Sequence, residues 1–312
     1  KALHIIRPMR FIMPHRPHLR PAWLIRTGLF FYDHLGKRKK LSGSNNVYFK
    51  ADSPLNAAIT RGFEYSDCAV DDARLVVLNA MHAREKGAEI MTRTRCVSAR
   101  REGSLWVVDL ENVNGQFQIK AKALVNAAGP WVAKFIQQDL QLQSPYGIRL
   151  IQGSHIIVPK LYDGEKAFIM QNDDRRIVFA IPYLDHYTMI GTTDREYQGD
   201  PAQVEITQDE IDYLLKVSNA HFKQQLSQAD IISTFSGVRP LCDDESDNPS
   251  AITRDYTLAL SKEADDQAPL LSVFGGKLTT YRKLAESAMQ QLKAFFPEMQ
   301  ESWTATEALP GG

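Results

Sequence analysis

The stretch LLSVFGGKLTTYRKL, residues 270–284, reads as a buried strand, a two-glycine turn and an amphipathic helix that continues through AESAMQQLKAFF. A strand that runs into glycines and then a helix lets the main chain approach a ligand closely. It also aims the free N–H groups and the positive helix end at an anion or an electron-rich oxygen. Gly275, Gly276, Lys277, Leu278, Thr279 and Thr280 occupy that turn. Taken alone, these residues also fit a plain strand-to-helix connection. The same order recurs at ALVNAAGPWVAKFIQQ, residues 123–138, where a short apolar strand over Ala123 to Ala127 meets Gly129-Pro130-Trp131 and then helical spacing. Strand, small-residue turn and helix in that order form one half of a βα nucleotide-binding unit.

Working outward, the text before this unit is β-rich. AEIMTRTRCVSARR, SLWVVDLEN and QFQIKAKALVNAA alternate as strands, and Asn114-Gly115 supplies a hairpin turn between the last two. Residues 147–194 carry IRLIQGSHIIVP, KAFIMQ, RRIVFAIPYL and YTMIGTTD, separated by short polar turns, which predicts an antiparallel sheet in a separate layer. A helix follows, opened by a capping box over Thr207-Gln208-Asp209-Glu210. DDARLVVLNAMHAREKG predicts another, with Leu75, Leu78 and Met81 on one face and Gly87 past its end. At the front, PHRPHLRP is an extended arm, and AWLIRTGLFFYDHL is helical up to Gly36. The expected class is therefore α/β plus α+β.

The chain has 312 residues, 44% of them apolar, so it buries a full core and is not disordered as a whole. Its three cysteines, Cys68, Cys96 and Cys242, form no C-x-x-C pair, which speaks against a metal cluster and fits a reducing compartment better than secretion. The longest apolar stretch near the front, Ala22 to Tyr32, is cut by Arg26 and falls far short of the ~20 residues that span a bilayer. KALHIIRPMR carries neither Met nor a signal pattern, and the chain reads as the inside of a longer one. Zero net charge conceals an asymmetry: residues 1–50 hold eleven Lys+Arg against Asp33 alone, and the remainder is correspondingly acidic. With Trp23, Phe30, Phe31 and Tyr32 interleaved, this basic front suits an anionic lipid surface, or else the acidic remainder of the same fold. No nucleic-acid module follows it, so nucleic acid is not an expected partner.

Three cations and one histidine stand out. Arg239 in SGVRPLCDD and Arg254 in ITRDY present planar forks suited to phosphate or carboxylate, and Lys277 adds a point charge. Spacing alone equally pairs the arginines with Asp243, Asp244 or Asp255. His155 in QGSHIIV is, by position, a hydrogen-bonded strand histidine or a general base.

Six runs, EYSDCAVDDARLV, ALVNAAGPWV, YGIRLIQGSHIIVP, IGTTD, SGVRPLCDDESDNPSAITRDY and SVFGGKLTTYRKLAE, resemble the FAD-dependent aerobic glycerol-3-phosphate dehydrogenase family of the D-amino-acid-oxidase-like flavoproteins. PHRPHLRPAW and YDHLGK fit the same family. The resemblance implies an incomplete Rossmann-like FAD-binding domain with an antiparallel-sheet substrate domain. Its expected parts are a basic arm and cap over 1–62, FAD-binding segments over 63–140 and 235–297, the substrate sheet over 141–234, and the start of a truncated C-terminal region over 298–312. The family's G-x-G-x-x-G turn is found nowhere in this sequence, and the text stops at LPGG. A fragment lacking the N-terminal phosphate-binding unit and a C-terminal helical domain is the expectation.

Roles follow from the resemblance residue by residue. Cys96 and Val97 match a main-chain contact to the adenine, and Ala128, Gly129, Pro130 and Trp131 match a loop near the pyrophosphate. Gly276, Lys277, Leu278 and Thr279 match the turn that meets the flavin pyrimidine. Arg239, Arg254 and Lys277 match cations of the glycerol 3-phosphate pocket, with His155 the candidate base and Arg239 a second catalytic candidate that orients the alcohol. For the intact protein the implied reaction is oxidation of sn-glycerol 3-phosphate to dihydroxyacetone phosphate, with electrons passed to a membrane quinone in the respiratory chain, and the fragment alone is expected to be inactive. The protein would sit peripherally on the inner face of the cytoplasmic membrane, with a homodimer one assembly the resemblance allows. The alternatives are a glycerol-3-phosphate oxidase, a related amine-oxidising flavoprotein, or a non-catalytic binding fragment. No metal site is expected.

Overall fold

The computed structural model describes residues 2–35, 41–243, 256–261 and 267–312. In chain order the strands and helices are β1 (Ile6–Pro14), α1 (Ala22–His34), β2 (Asn45–Tyr48), β3 (Arg61–Val70), α2 (Asp72–Glu85), β4 (Arg95–Glu102), β5 (Leu105–Asn112), β6 (Gly115–Ala121) and β7 (Leu124–Asn126). They continue with α3 (Val132–Lys134), β8 (Gly147–Pro159), β9 (Ala167–Gln171), β10 (Ile177–Tyr183), β11 (Tyr187–Gly191), β12 (Arg195–Tyr197), α4 (Gln208–His221), β13 (Ser233–Asp243), β14 (Tyr256–Ser261), β15 (Leu270–Gly275) and α5 (Tyr281–Leu292).

Three sheets form. The largest has nine strands in the order β12-β8-β11-β10-β9-β1-β3-β2, with β13 on the other edge of β8. Its pairs are antiparallel except β1 with β9. A second sheet runs β14-β15-β7, with β15 and β7 parallel, and β4-β5-β6 make an antiparallel meander.

Strand alternation assigns each face of the large sheet a task. Ile156 and Val158 of β8, with Met170, Val178 and Ile190 of its neighbours, pack against Leu214, Val217 and Phe222 in and just after α4. The Thr207 capping box starts that helix as the sequence predicts. The opposite face is covered at its β1 and β3 end by α1, whose Ile25 and Leu29 rest on Phe63, Met13 and Tyr65. Among the described residues no hydrophobic cluster covers its β8 and β13 end.

The second sheet is knit to the first where β13 ends. Cys242 packs with Val132, Ile136 and Phe274 in one apolar cluster. Trp106 of the meander is buried, its indole N–H donating to the Pro269 carbonyl at 3.0 Å, and Arg101 stacks over its ring. Leu271 packs against Ala288 and Leu292 of α5.

Several expectations shift. The boundaries at 63 and 235 cut through β3 and β13, both of which pair within the large sheet, so the layers divide at α2 and after β13. Each strand's own pattern leaves its partner undetermined, and pairing decides the boundary. Residues 88–94 are not strand, and β4 starts at Arg95. The β5–β6 turn is Val113-Asn114, because Gly115 already pairs with Asn112. In α2, His82 rather than Met81 joins Leu75 and Leu78 in burial, since Trp303 and Glu307 fold back over it.

Candidate functional site

Directly opposed residues of neighbouring strands share a face, and the register Phe179↔Gly191↔His155↔Phe235 sets these four in a row on the open face of the large sheet. His155 stacks on Phe235, with ring centroids 4.6 Å apart and planes 5° from parallel. Gly191 makes the space for the imidazole: a Cβ there would lie 2.2 Å from His155 Cδ2. Burial, and then the positive charge of Arg239, push the His155 pKa down to about 4, so the ring is neutral at physiological pH. Its Nδ1 is sealed from solvent without a hydrogen-bond partner, whereas Nε2 is not sealed in this way.

Arg239 lies on the same face and pairs with Asp194, from the turn between β11 and β12, rather than with Asp243. Its second terminal nitrogen donates to Thr192 Oγ1 at 3.2 Å and the Thr193 carbonyl at 3.5 Å. Gly153 permits this: a Cβ there would stand 2.5 Å from Arg239 Nη2. His155 and Arg239, 84 residues apart in sequence, are thus brought together by the β8–β13 ladder. Arg254 lies outside the described residues, as do Asp244 and Asp255.

Lys277 stands in the turn that follows β15 of the second sheet. In-register parallel pairing of Leu124 to Asn126 with Leu270 to Ser272 means that the loops after β7 and β15 leave from the same end of adjacent strands. Crevices beyond the carboxyl ends of parallel strands are where open α/β sheets hold ligands. Gly129 has φ +56° and Gly276 has φ +112°, conformations that glycine adopts without strain. Buried Asn126 fixes the first loop, its side chain donating to the Val132 carbonyl at 2.9 Å and accepting from Ala128 N–H at 3.3 Å. The second loop enters a 3-10 turn over Leu278–Thr280 ahead of α5. The opening N–H groups of that helical run have no intrahelical acceptor.

Cys96 and Ala128 line one cavity of about 500 Å³, together with Leu110, Val125, Ala127 and Phe135. Val97 forms an irregularity where the β4–β5 register shifts between Cys96 and Ser98. Burial pushes the Cys96 thiol pKa up, with Asp139 and Asp109 adding to the effect, which leaves it a neutral wall residue. An apolar slot floored by alanines, and glycine turns at the ends of two parallel strands, fit the adenine and pyrimidine ends of a flavin dinucleotide. A second concavity of about 490 Å³, lined by His18, Arg20, Asn172 and Arg175, contains none of the expected site residues.

The sequence reading missed Phe235, Thr192, Asp194 and Asn126 as parts of these sites. A signal existed for the first three: glycines inside strands, at 153 and 191, mark close approach of another group.

A family model described as FAD dependent oxidoreductase (DAO) matches residues 11–282. A glycerol-3-phosphate dehydrogenase of Pseudomonas tolaasii is 71% identical over 313 residues, covering all of this chain and 61% of that protein. A D-erythritol 1-phosphate dehydrogenase of Brucella abortus is 51% identical over 316 residues, covering all of this chain and 62% of that protein. The crystal structure of the glycerol-3-phosphate dehydrogenase from Bacillus halodurans complexed with FAD superposes with a TM-score of 0.77 at 26% identity, covering all of this chain and 56% of that one. The chain therefore spans 61% and 62% of the length of these two curated relatives.

Proposed function

This chain belongs to the FAD-dependent oxidoreductase (DAO) family, and from that premise we propose that it supplies the alcohol-oxidising site of an FAD-dependent glycerol-3-phosphate dehydrogenase. One observation carries the reading: a neutral imidazole, His155, lies beside a guanidinium, Arg239, that is fixed by Asp194 and Thr192 on an open sheet face. Cys96, Val97, Ala128 to Trp131 and Gly276 to Thr279 would hold FAD through main-chain groups. When bound, FAD supplies the acceptor for the hydride that leaves C2 of sn-glycerol 3-phosphate.

The remaining work falls to the protein's own side chains. His155 takes the C2 hydroxyl proton at Nε2, acting in the tautomer that carries its single ring proton on Nδ1. Arg239 directs its N–H groups at the same oxygen and stabilises its developing negative charge. Lys277, with Arg254, meets the phosphate dianion. Phe235 covers the imidazole and keeps water from its stacked face. Loss of the hydroxyl proton to His155 and of the C2 hydride leaves dihydroxyacetone phosphate.

The test is turnover by the full-length, FAD-loaded protein with sn-glycerol 3-phosphate, glycerol and D-erythritol 1-phosphate, using an artificial electron acceptor and measuring the ketone formed. Preference for glycerol 3-phosphate over glycerol by at least a hundredfold in kcat/KM supports the reading. Preference for the four-carbon phosphate moves the substrate to that of the Brucella relative, and no turnover of either phosphate removes the reading.

We further propose that electrons leave to a membrane quinone and that the protein binds peripherally to an anionic bilayer, on the cytoplasmic side. The supporting feature is α1, which turns Trp23, Leu24, Phe30 and Phe31 to solvent within a basic first 50 residues. Among the described residues no helix is long and apolar enough to cross a membrane.

A further inference from the structure

Glu210, in the first turn of α4, lies on the far face of the large sheet from His155 and is 5% exposed. Such a carboxylate is costly to bury unless its oxygens are satisfied. Oε1 accepts from Thr193 Oγ1 at 2.6 Å and Ser154 Oγ at 2.8 Å. Oε2 accepts from Gln152 Nε2 and the Thr207 N–H, both at 2.9 Å, and from Thr207 Oγ1 at 3.0 Å. Burial raises its pKa, but the hydrogen bonds from Thr193, Thr207 and Ser154 together outweigh burial and hold it below the usual carboxylate range.

Two of those donors sit on Glu210's side of the sheet but are flanked in sequence by residues of the opposite face. Ser154 lies between Gly153, on which the Arg239 guanidinium rests, and His155, and its hydroxyl also meets Ser236 of β13 at 2.9 Å. Thr193 Oγ1 accepts from the Ser154 N–H at 2.9 Å, so Thr193 is tied to both Glu210 and β8. Its neighbours on either side, Thr192 and Asp194, are the two side chains that hold Arg239. Capping α4 requires only the Thr207 contacts, and the Thr193 and Ser154 contacts serve no helix end.

We propose that Glu210 is a positioning residue that fixes the Arg239 guanidinium by anchoring the Thr192-Thr193-Asp194 turn to β8. The proposal rests on the reading of Arg239 as the group that meets the alcohol oxygen. Glu210→Gln keeps the shape but sets an amide N–H2 against donors on one side or the other, Gln152 and Thr207 or Thr193 and Ser154. Val at 193 removes only the link and leaves the α4 cap whole, which covers the case in which Glu210→Gln folds poorly.

The experiment compares full-length, FAD-loaded wild type, Glu210→Gln and Thr193→Val, each with Arg239 intact and with Arg239→Ala. Its readouts are kcat and KM for sn-glycerol 3-phosphate, FAD content by absorbance, and the Arg239 pose in crystals of Thr193→Val. Expected are a fall in kcat of tenfold or more in both single variants, KM within threefold, unchanged FAD content, and a guanidinium displaced from Asp194 and Thr192. In the Arg239→Ala background neither substitution should lower kcat by more than twofold, because residues acting through one group are not additive. A tenfold loss that persists without Arg239, or an undisturbed guanidinium in Thr193→Val, overturns the proposal. If wild type turns over no glycerol phosphate, the functional reading fails, and the crystallographic pose alone still decides the role of Glu210.

Discussion

His155 and Phe235 are cross-strand partners whose rings lie 4.6 Å apart and nearly parallel. The stack removes one face of the imidazole from water, and burial is the larger of the two causes that bring its pKa to about 4. A histidine whose folded pKa lies below its ordinary value binds fewer protons folded than unfolded, so stability falls as pH drops. The window runs from about 6.5 down to about 4, with the full contribution present above it. Phe235→Ala opens the ring to solvent, raises this pKa and flattens that part of the profile. Tm measured from pH 7 to 4, with the His155 ring followed by NMR, checks it. An unchanged His155 titration refutes the role given to the stack.

Gly191→Ala sets a methyl against a rigid ring held on its other side by Phe235. Overpacking of this kind costs about 1–3 kcal/mol. The variant should lose stability by that amount in denaturant titration and lose activity, since His155 is forced out of its place. Wild-type activity at Gly191→Ala would remove His155 from the chemistry.

Gly153→Ala differs because the clash falls on the far end of a flexible side chain, Arg239, and on the Thr192 hydroxyl. The guanidinium yields while the strand stays. We expect a stability change under about 1 kcal/mol together with the loss of a charge-assisted contact of about 1.5–3 kcal/mol, seen in kcat/KM. A loss of stability with no loss of kcat/KM is the contrary outcome.

Sedimentation with anionic vesicles tests the basic, aromatic front. Surface basic residues gain about 1 kcal/mol each near anionic lipid, within a Debye length of about 8 Å at physiological salt. Binding at low salt should be reversed at high salt and weakened by Trp23→Gln with Phe31→Gln on α1, or by Gln at Lys37, Arg38, Lys39 and Lys40. Those four lie outside the described residues. If the Gln variants bind as well as wild type but unfold more easily, the charge serves the fold.

This 312-residue chain carries two glycine turns but no G-x-G-x-x-G sequence. Much of a dinucleotide site's contact is with phosphates at such a turn. Isothermal titration of this chain with FAD should therefore give weak binding. A tight one-to-one complex would show that the loops at Gly129 and Gly276 suffice.

Local order was legible where neighbouring residues decide it. The capping box at Thr207, the strand and glycine turn at 270–276, and the small-residue turn at 128–131 depend on contacts within a few residues, and they fold as read. The bare sequence singled out His155 and Arg239, but left Arg239 to pair with Asp243, Asp244 or Asp255 or to meet a phosphate or carboxylate. Asp194 won because β8 sets the β11–β12 turn beside β13, a relation that exists only after three strands pair.

By itself the sequence determined strand and helix type, the positions of the glycine turns and the asymmetry of charge, because periodicity, side-chain volume and backbone freedom are properties of short stretches. Tertiary structure alone decided that β3 and β13 belong to the large sheet, that His82 rather than Met81 is buried, and that Glu210 lies behind Arg239. The physical reason is that register between distant strands fixes which side chains share a face, and a strand's own residues specify its faces without specifying its neighbour.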